Sequence, residues 1–181
     1  MGLIHMMKAR TLSDIEKVLI RASEITNHRS FVIAGSLSII GSVMTPLESM
    51  CYSMDVDLYP KLDPGRAGEI AAIIGEGSQF ARDNGVYADA ISPAILSLPE
   101  QWESRLVQLP LPSGVIGWFL DPNDCAISKI IRGEERDIAW VRAGIVAGLL
   151  SRQIILSRIH SAQNVLAGEI NQAIRLIDAL N

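Results

Sequence analysis

The spacing of apolar residues changes along the chain, and those changes predict the order of its elements. Ile15, Val18, Leu19, Ala22 and Ile25 recur at helical intervals. They predict an amphipathic helix to about Thr26, opened by an S-x-x-E capping box at Ser13 and Glu16. After a polar break at 27–30, the apolar run 31–34 predicts a buried strand, Gly35 and Ser36 a corner, and the stretch to Met44 a short helix. A second strand follows in which Asp55 and Asp57 alternate with Val56 and Leu58, so the two acids share one face. Met54, Val56 and Leu58 lie on or beside the other, apolar face.

Asp63-Pro64-Gly65 marks a turn into a short helix at 66–75, and 75–85 is a polar connection punctuated by glycine. Residues 86–91 predict a third strand and 99–104 a short helix. Val107, Leu109 and Leu111 alternate, and 115–120 returns after Pro112-Ser113-Gly114 as the second arm of a hairpin. Asp121 is placed to cap a helix with Pro122 at its first position and Asp124 at its third, ending at Gly133. Another helix starts at Glu134 and runs apolar to Leu149. Residues 151–181 read as helical throughout, with apolar stripes that predict a C-terminal bundle or a dimer interface. The fold class is therefore α/β (α+β): a small mixed sheet of about five strands with flanking helices and a helical C-terminal region. Residues 1–150 form the main domain and 151–181 a helical extension.

Composition narrows the function classes. A chain of 181 residues can bury one sizeable core, and 49% hydrophobic with 20% charged residues excludes disorder. A net charge of −4 excludes a broadly basic nucleic-acid surface. A local patch of Arg132, Arg136, Arg142 and Arg152 stays open. Cys51 and Cys125 fit no metal spacing and read as buried reduced thiols. His5, His28 and His160 are scattered, and no phosphate-binding P-loop or dinucleotide fingerprint occurs. No apolar run approaches the ~18 residues of a membrane span, so a cytoplasmic location with no membrane partner is expected.

The candidate chemistry sits between residues 35 and 57. Two carboxylates about 6–7 Å apart along one strand face repel each other and lose hydration unless a cation lies between them. A divalent ion with oxygen ligands, Mg²⁺ or Mn²⁺, is the expected neutraliser. Gly35 and Ser36 open a helix, whose free N–H groups favour an anion such as phosphate. An anion site beside a metal site predicts a binder of metal and nucleotide. Lys61, just past the acidic strand, is a surface lysine or a phosphate contact, the first being the ordinary case. Trp102 and Trp118 read as packing groups rather than base-stacking platforms.

At these residues the chain resembles the nucleotidyltransferase superfamily, whose signature is h-G-S, a short helix, then h-D-h-D on the next strand. Gly35, Ser36, Asp55 and Asp57 match it. The 18 residues between Ser36 and Asp55 suit its small AbiEii-like and DUF6036-like branches. The stretch from Leu98 and Pro99 through Trp102 to Arg105 and Leu106 is similar to an L-P-x-x-W-x-x-R-L segment of DUF6036-like proteins. Leu120, Asp124, Lys129, Arg136 and Asp137 follow the order of their L-x-x-x-D-x-x-x-x-K…R-D block.

The resemblance implies a third metal-binding carboxylate at Asp89, against the plain reading of an edge-strand acid facing water. It also implies that Lys129 contacts the triphosphate and that Asp137 orients Lys129 or a metal-bound water, against a helix-surface lysine paired locally. The implied activity is transfer of a nucleoside monophosphate from an NTP to a hydroxyl acceptor in tRNA or other RNA, protein or a small molecule. AbiEii-like relatives imply a toxin with an antitoxin partner. A degenerate scaffold that binds without turnover is the competing expectation.

Overall fold

The structure, a computed structural model, describes residues 8–180. His5 and Asn181 lie outside the described residues. Strands β1 (Ser30–Ile33), β2 (Asp55–Pro60), β3 (Tyr87–Ala90), β4 (Val107–Pro110) and β5 (Ile116–Phe119) form one mixed sheet. Its order is β3-β2-β1-β5-β4. β1 runs antiparallel to β2 and parallel to β5, β2 parallel to β3, and β4 antiparallel to β5 as the expected hairpin. The helices are α1 (Leu12–Thr26), α2 (Ile39–Ser42), α3 (Ala67–Ile74), α4 (Gln79–Asn84), α5 (Pro122–Arg132), α6 (Glu135–Val146), α7 (Arg152–Arg158) and α8 (Ala167–Ala179).

Strand alternation sorts the sheet into two faces. Phe31, Ile33, Val56, Leu58 and Phe119 pack against Ile15, Val18, Leu19 and Ala22 of α1 and Ile70 and Ile74 of α3. The opposite face carries Val32 and Tyr59, with Trp102 and Trp118 packed beside them. A second core joins α5 to the last helices through Ile127, Ile130, Trp140, Ile155, Ile159, Ala173 and Ile177. The apolar stripes of α7 and α8 are thus buried within the chain's own bundle.

The boundaries differ from expectation where a side chain finds a better partner. α1 is capped earlier than expected: Asp14 N donates to Thr11 Oγ1 at 3.3 Å, and the Asp14 carboxylate accepts from Thr11 N at 2.9 Å. Glu16 instead accepts from Ser113 N at 2.8 Å, tying α1 to the hairpin turn. Met54 is not on the apolar face but exposed. The polar 75–85 segment contains α4, capped by Ser78. The helix expected at 99–104 is a 3-10 turn, Trp102–Arg105. The C-terminal helix is broken: Asn164 takes φ 56°, and Gln163 N donates to Leu98 O at 3.0 Å, stitching 162–163 to 98–99. α8 restarts where Glu169 accepts from Leu166 N at 2.7 Å.

α5 follows its sequence signals closely. Asp121 accepts from Asn123 N and Asp124 N, Pro122 opens the helix and Gly133 closes it at φ 69°. Asp124, fully buried, accepts from Arg105 Nε at 2.7 Å and Arg158 Nη1 at 2.9 Å, fixing the helix start to the 3-10 turn and to α7. Among the described residues no helix is long and apolar enough to cross a membrane.

Candidate active site

β2 sets Asp55 and Asp57 on the face opposite Val56 and Leu58, and the parallel register with β3 lays Asp57 beside Asp89 and Asp55 beside Tyr87. One carboxylate oxygen from each of Asp55, Asp57 and Asp89 falls within 4.8 Å of the others. Asp55 and Asp57 are partly buried and Asp89 is exposed at the sheet edge. The Ser53 hydroxyl donates to Asp55. Burial, then the charges of Asp55 and Asp89, push the Asp57 carboxyl up to about 7 against the pull of Lys129 and Arg132. Burial, Asp55 and Glu76 also raise Asp89. An oxygen-only donor set of this size, with Asp57 and Asp89 held above their usual range, fits a hard divalent cation such as Mg²⁺.

The corner after β1 closes one side of this cluster. Ala34 N donates to Asp57 O at 2.9 Å, and Gly35 follows at φ 61°, ψ −163°. Its carbonyl accepts from Ser38 Oγ at 2.8 Å and Cys125 Sγ at 3.2 Å. The expected helix to Met44 is shorter, a 3-10 turn (Ser36–Ser38) running into α2, which stops at Ser42. The Ser36 hydroxyl is engaged by Lys129.

Lys129 and Asp137 are not a helix-surface pair. Lys129 is 5% exposed and Asp137 0%. Lys129 Nζ donates to Ser36 Oγ at 2.8 Å and to Asp137 Oδ1 at 3.0 Å, and sits 5.1 Å from the centre of the Trp140 ring. Arg132 donates from Nε and Nη2 to the two oxygens of Asp137, each at 2.6 Å. Burial alone would raise the Asp137 carboxyl, but the Arg132 hydrogen bond and Lys129 outweigh it and hold the group below its usual range.

Asp55, Asp57, Asp89, Ser36, Lys129 and Arg132 line one cleft of about 550 Å³. A second hollow of about 500 Å³ adjoins it, lined by Tyr52, Tyr87 and Trp140 among others. Ser36, Ser53, Asp55 and Arg136 border both. All seven residues singled out for chemistry thus converge, with Asp137 behind Lys129. Lys61 does not join them. It follows the far end of β2, ~13 Å from Asp57 by strand rise, with Nζ 4.7 Å from the centre of the Trp118 ring. Trp102 and Trp118 pack the sheet, and Cys51 and Cys125 are buried free thiols, as expected.

Several cleft residues went unassigned in the sequence. Strand alternation placed Ser53 in step with Asp55, and the three-residue step from Lys129 put Arg132 on the same helix face. Tyr87, in the adjoining hollow, stands two positions before Asp89. Glu169, which reaches the cleft from α8, had no sequence signal.

A mixed sheet carrying three clustered acids beside a Gly-Ser corner and a buried lysine defines a nucleotidyltransferase-like core. The chain belongs to the family described as "Nucleotidyltransferase of unknown function (DUF6036)", which matches residues 10–176. No curated protein and no solved structure matches the chain.

Proposed function

We propose that this protein transfers a nucleoside monophosphate from an NTP to a hydroxyl acceptor, with pyrophosphate leaving, in a reaction dependent on Mg²⁺ or Mn²⁺. The observation that carries this reading is the Asp55–Asp57–Asp89 set, oxygens within 4.8 Å, sharing its cleft with Lys129. Bound there, a divalent ion supplies charge neutralisation for the phosphates and for the in-line displacement. Asp55 and Asp57 hold that ion on the phosphate side. Asp89, the most exposed of the three, completes the set and takes the proton from the acceptor hydroxyl. The acceptor oxygen bonds to the α-phosphorus as the bond to pyrophosphate breaks. The Gly35–Ser36 corner and Lys129 meet the terminal phosphates, and Lys129 offsets the charge of the departing pyrophosphate. Asp137 accepts from Lys129 Nζ and keeps it aimed. A complete acid set with a lysine already positioned supports turnover over a degenerate scaffold.

The test is incubation of the purified protein with each labelled NTP, Mg²⁺ or Mn²⁺, and total RNA, proteins or small metabolites in separate arms. Transfer of label in one arm, abolished by Asp55→Ala and by chelation, is the expected result. Metal-dependent NTP binding with no transfer in any arm would leave a scaffold. If the acceptor is tRNA or a partner protein and the chain is a toxin, expression arrests growth and a co-expressed antitoxin relieves the arrest.

A further inference from the structure

The cleft and the hollow beside it offer opposite environments. The cleft gathers Lys129, Arg132 and Arg136 with the three acids, surroundings suited to phosphates and a cation. The hollow is lined by Tyr52, Tyr87, Trp140, Met50 and Met54, of which Trp140 and Met50 are buried. Of its charged lining residues, Asp55 and Arg136 border both spaces, and Asp137 is spent on Lys129 and Arg132. At about 500 Å³ it falls within the ~300–1,000 Å³ of small-ligand pockets. A nucleotide is one molecule with an anionic end and a flat aromatic end, and the two spaces meet at Asp55.

We propose that the hollow holds the base of the donor NTP and selects purines over pyrimidines by stacking area. This rests on the nucleotidyl-transfer reading above. Three of the hollow's side-chain donors are committed within the protein. The Tyr52 hydroxyl donates to Glu48 Oε1 at 3.2 Å, the Ser53 hydroxyl to Asp55, and the Trp140 indole N–H to Met50 O at 3.1 Å. With those three engaged, the Ser49 and Tyr87 hydroxyls are left to meet a base edge, and ring area carries the main discrimination. ATP and GTP therefore bind alike, and CTP and UTP more weakly. Tyr52 is the residue to alter, because it lies outside every helix and strand and its loss spares the fold. Tyr87 lies on β3 and provides the second variant.

Calorimetry with Mg²⁺ separates the two ends of the ligand. The probes are inorganic tripolyphosphate, ATP, GTP, CTP and UTP, titrated into wild type, Tyr52→Ala, Tyr52→Phe and Tyr87→Leu. In wild type the purine base should add about 5–150-fold over tripolyphosphate, the range of one base stacked on aromatic side chains. Tyr52→Ala and Tyr87→Leu should shrink that advantage while leaving tripolyphosphate affinity unchanged, and Tyr52→Phe should keep it. If tripolyphosphate binds but ATP binds no more tightly, the proposal falls and the nucleotidyl-transfer reading stands. It falls in the same way if pyrimidines match purines, or if both ring-removing variants keep the ATP advantage, as expected were the hollow an acceptor site. If wild type binds neither tripolyphosphate nor any NTP, both readings fall together.

Discussion

Gly35 lies against Asp57 so closely that a methyl group added to Gly35 would stand 2.6 Å from the Asp57 carboxyl carbon and overlap its outer oxygen. The backbone there, φ 61° and ψ −163°, belongs to a region that is essentially glycine's alone. The glycine is required twice, by its conformation and by the space the acid occupies. Gly35→Ala should therefore cost ~1–3 kcal/mol in backbone strain and displace the Asp57 carboxylate. A displacement near 1 Å in such a cluster costs turnover on the order of 10²-fold. Thermal melts check the strain and metal-dependent transfer of labelled NTP by the folded variant checks the turnover, and wild-type turnover would refute the second.

Asp57 makes a pH-dependent prediction. Its folded value of about 7 stands above the ~3.9 of an unfolded aspartate, so the folded protein binds this proton more tightly. The stability it contributes is fully present below pH ~4 and is lost as pH rises to 7. Asn cannot ionise, so Asp57→Asn should gain on the metal-free wild type across that window and level off above it. The displacement from 3.8 to about 7 caps the gain at about 4 kcal/mol. Saturating Mg²⁺ should close the gap by restoring wild type alone. Melting curves that stay parallel for the two proteins from pH 4 to 8 would contradict the cluster's electrostatics.

The Lys129–Asp137 pair predicts an asymmetric cost. Asp137→Ala leaves Lys129 buried, with Ser36 as its remaining hydrogen-bond partner. Removing one member of a buried pair typically costs ~3–5 kcal/mol. The Arg132 side chain is half exposed and can turn to water, so the loss falls on Lys129. Adding Lys129→Met to Asp137→Ala should recover part of the stability in urea titrations while eliminating NTP binding. The Asp137 carboxyl is held below its usual range, so its contribution exists above the unfolded value and fades in acid as pH falls through the folded one.

Much of this was legible in the chain because strong local patterns agreed with the final packing. The alternation around Asp55 and Asp57 fixed their face, and Asp121, Pro122 and Gly133 delimited α5 to the residue. What escaped depended on distant partners. Thr11 rather than Ser13 caps α1 through its own box with Asp14, and Glu16, which a Ser13 box needed, is taken by the Ser113 N–H, 97 residues away. The C-terminal helix breaks because residues 162–163 pair with Leu98 and Pro99, and no periodicity within 151–181 encodes that. Lys129 and Asp137 stand eight positions apart on consecutive helices, and sequence spacing alone left a surface pair open. Only the packing of α5 against α6 and the Gly-Ser corner buries both.

Arg158 supplies a prediction that separates stability from the cleft. Its Nη1 donates to Asp121 Oδ1 at 3.0 Å and to Asp124 Oδ1 at 2.9 Å, joining α7 to the start of α5. Burial pushes the Asp124 carboxyl up despite Arg105 and Arg158, so its charge is expensive and the arginines reduce that expense. Arg158→Ala leaves Asp124 with Arg105 at 2.7 Å, a partial replacement. The loss should be ~1.5–3 kcal/mol near neutral pH, the range for hydrogen bonds to charged groups. It should shrink in acid, because a protonated Asp124 no longer needs the second cation. NTP and Mg²⁺ affinity should stay at the wild-type level, since none of the three cluster acids touches Arg158. Urea titrations at pH 7.5 and pH 4.5 test the first part, and a defect equal at both values would show that Arg158 acts through packing instead of charge.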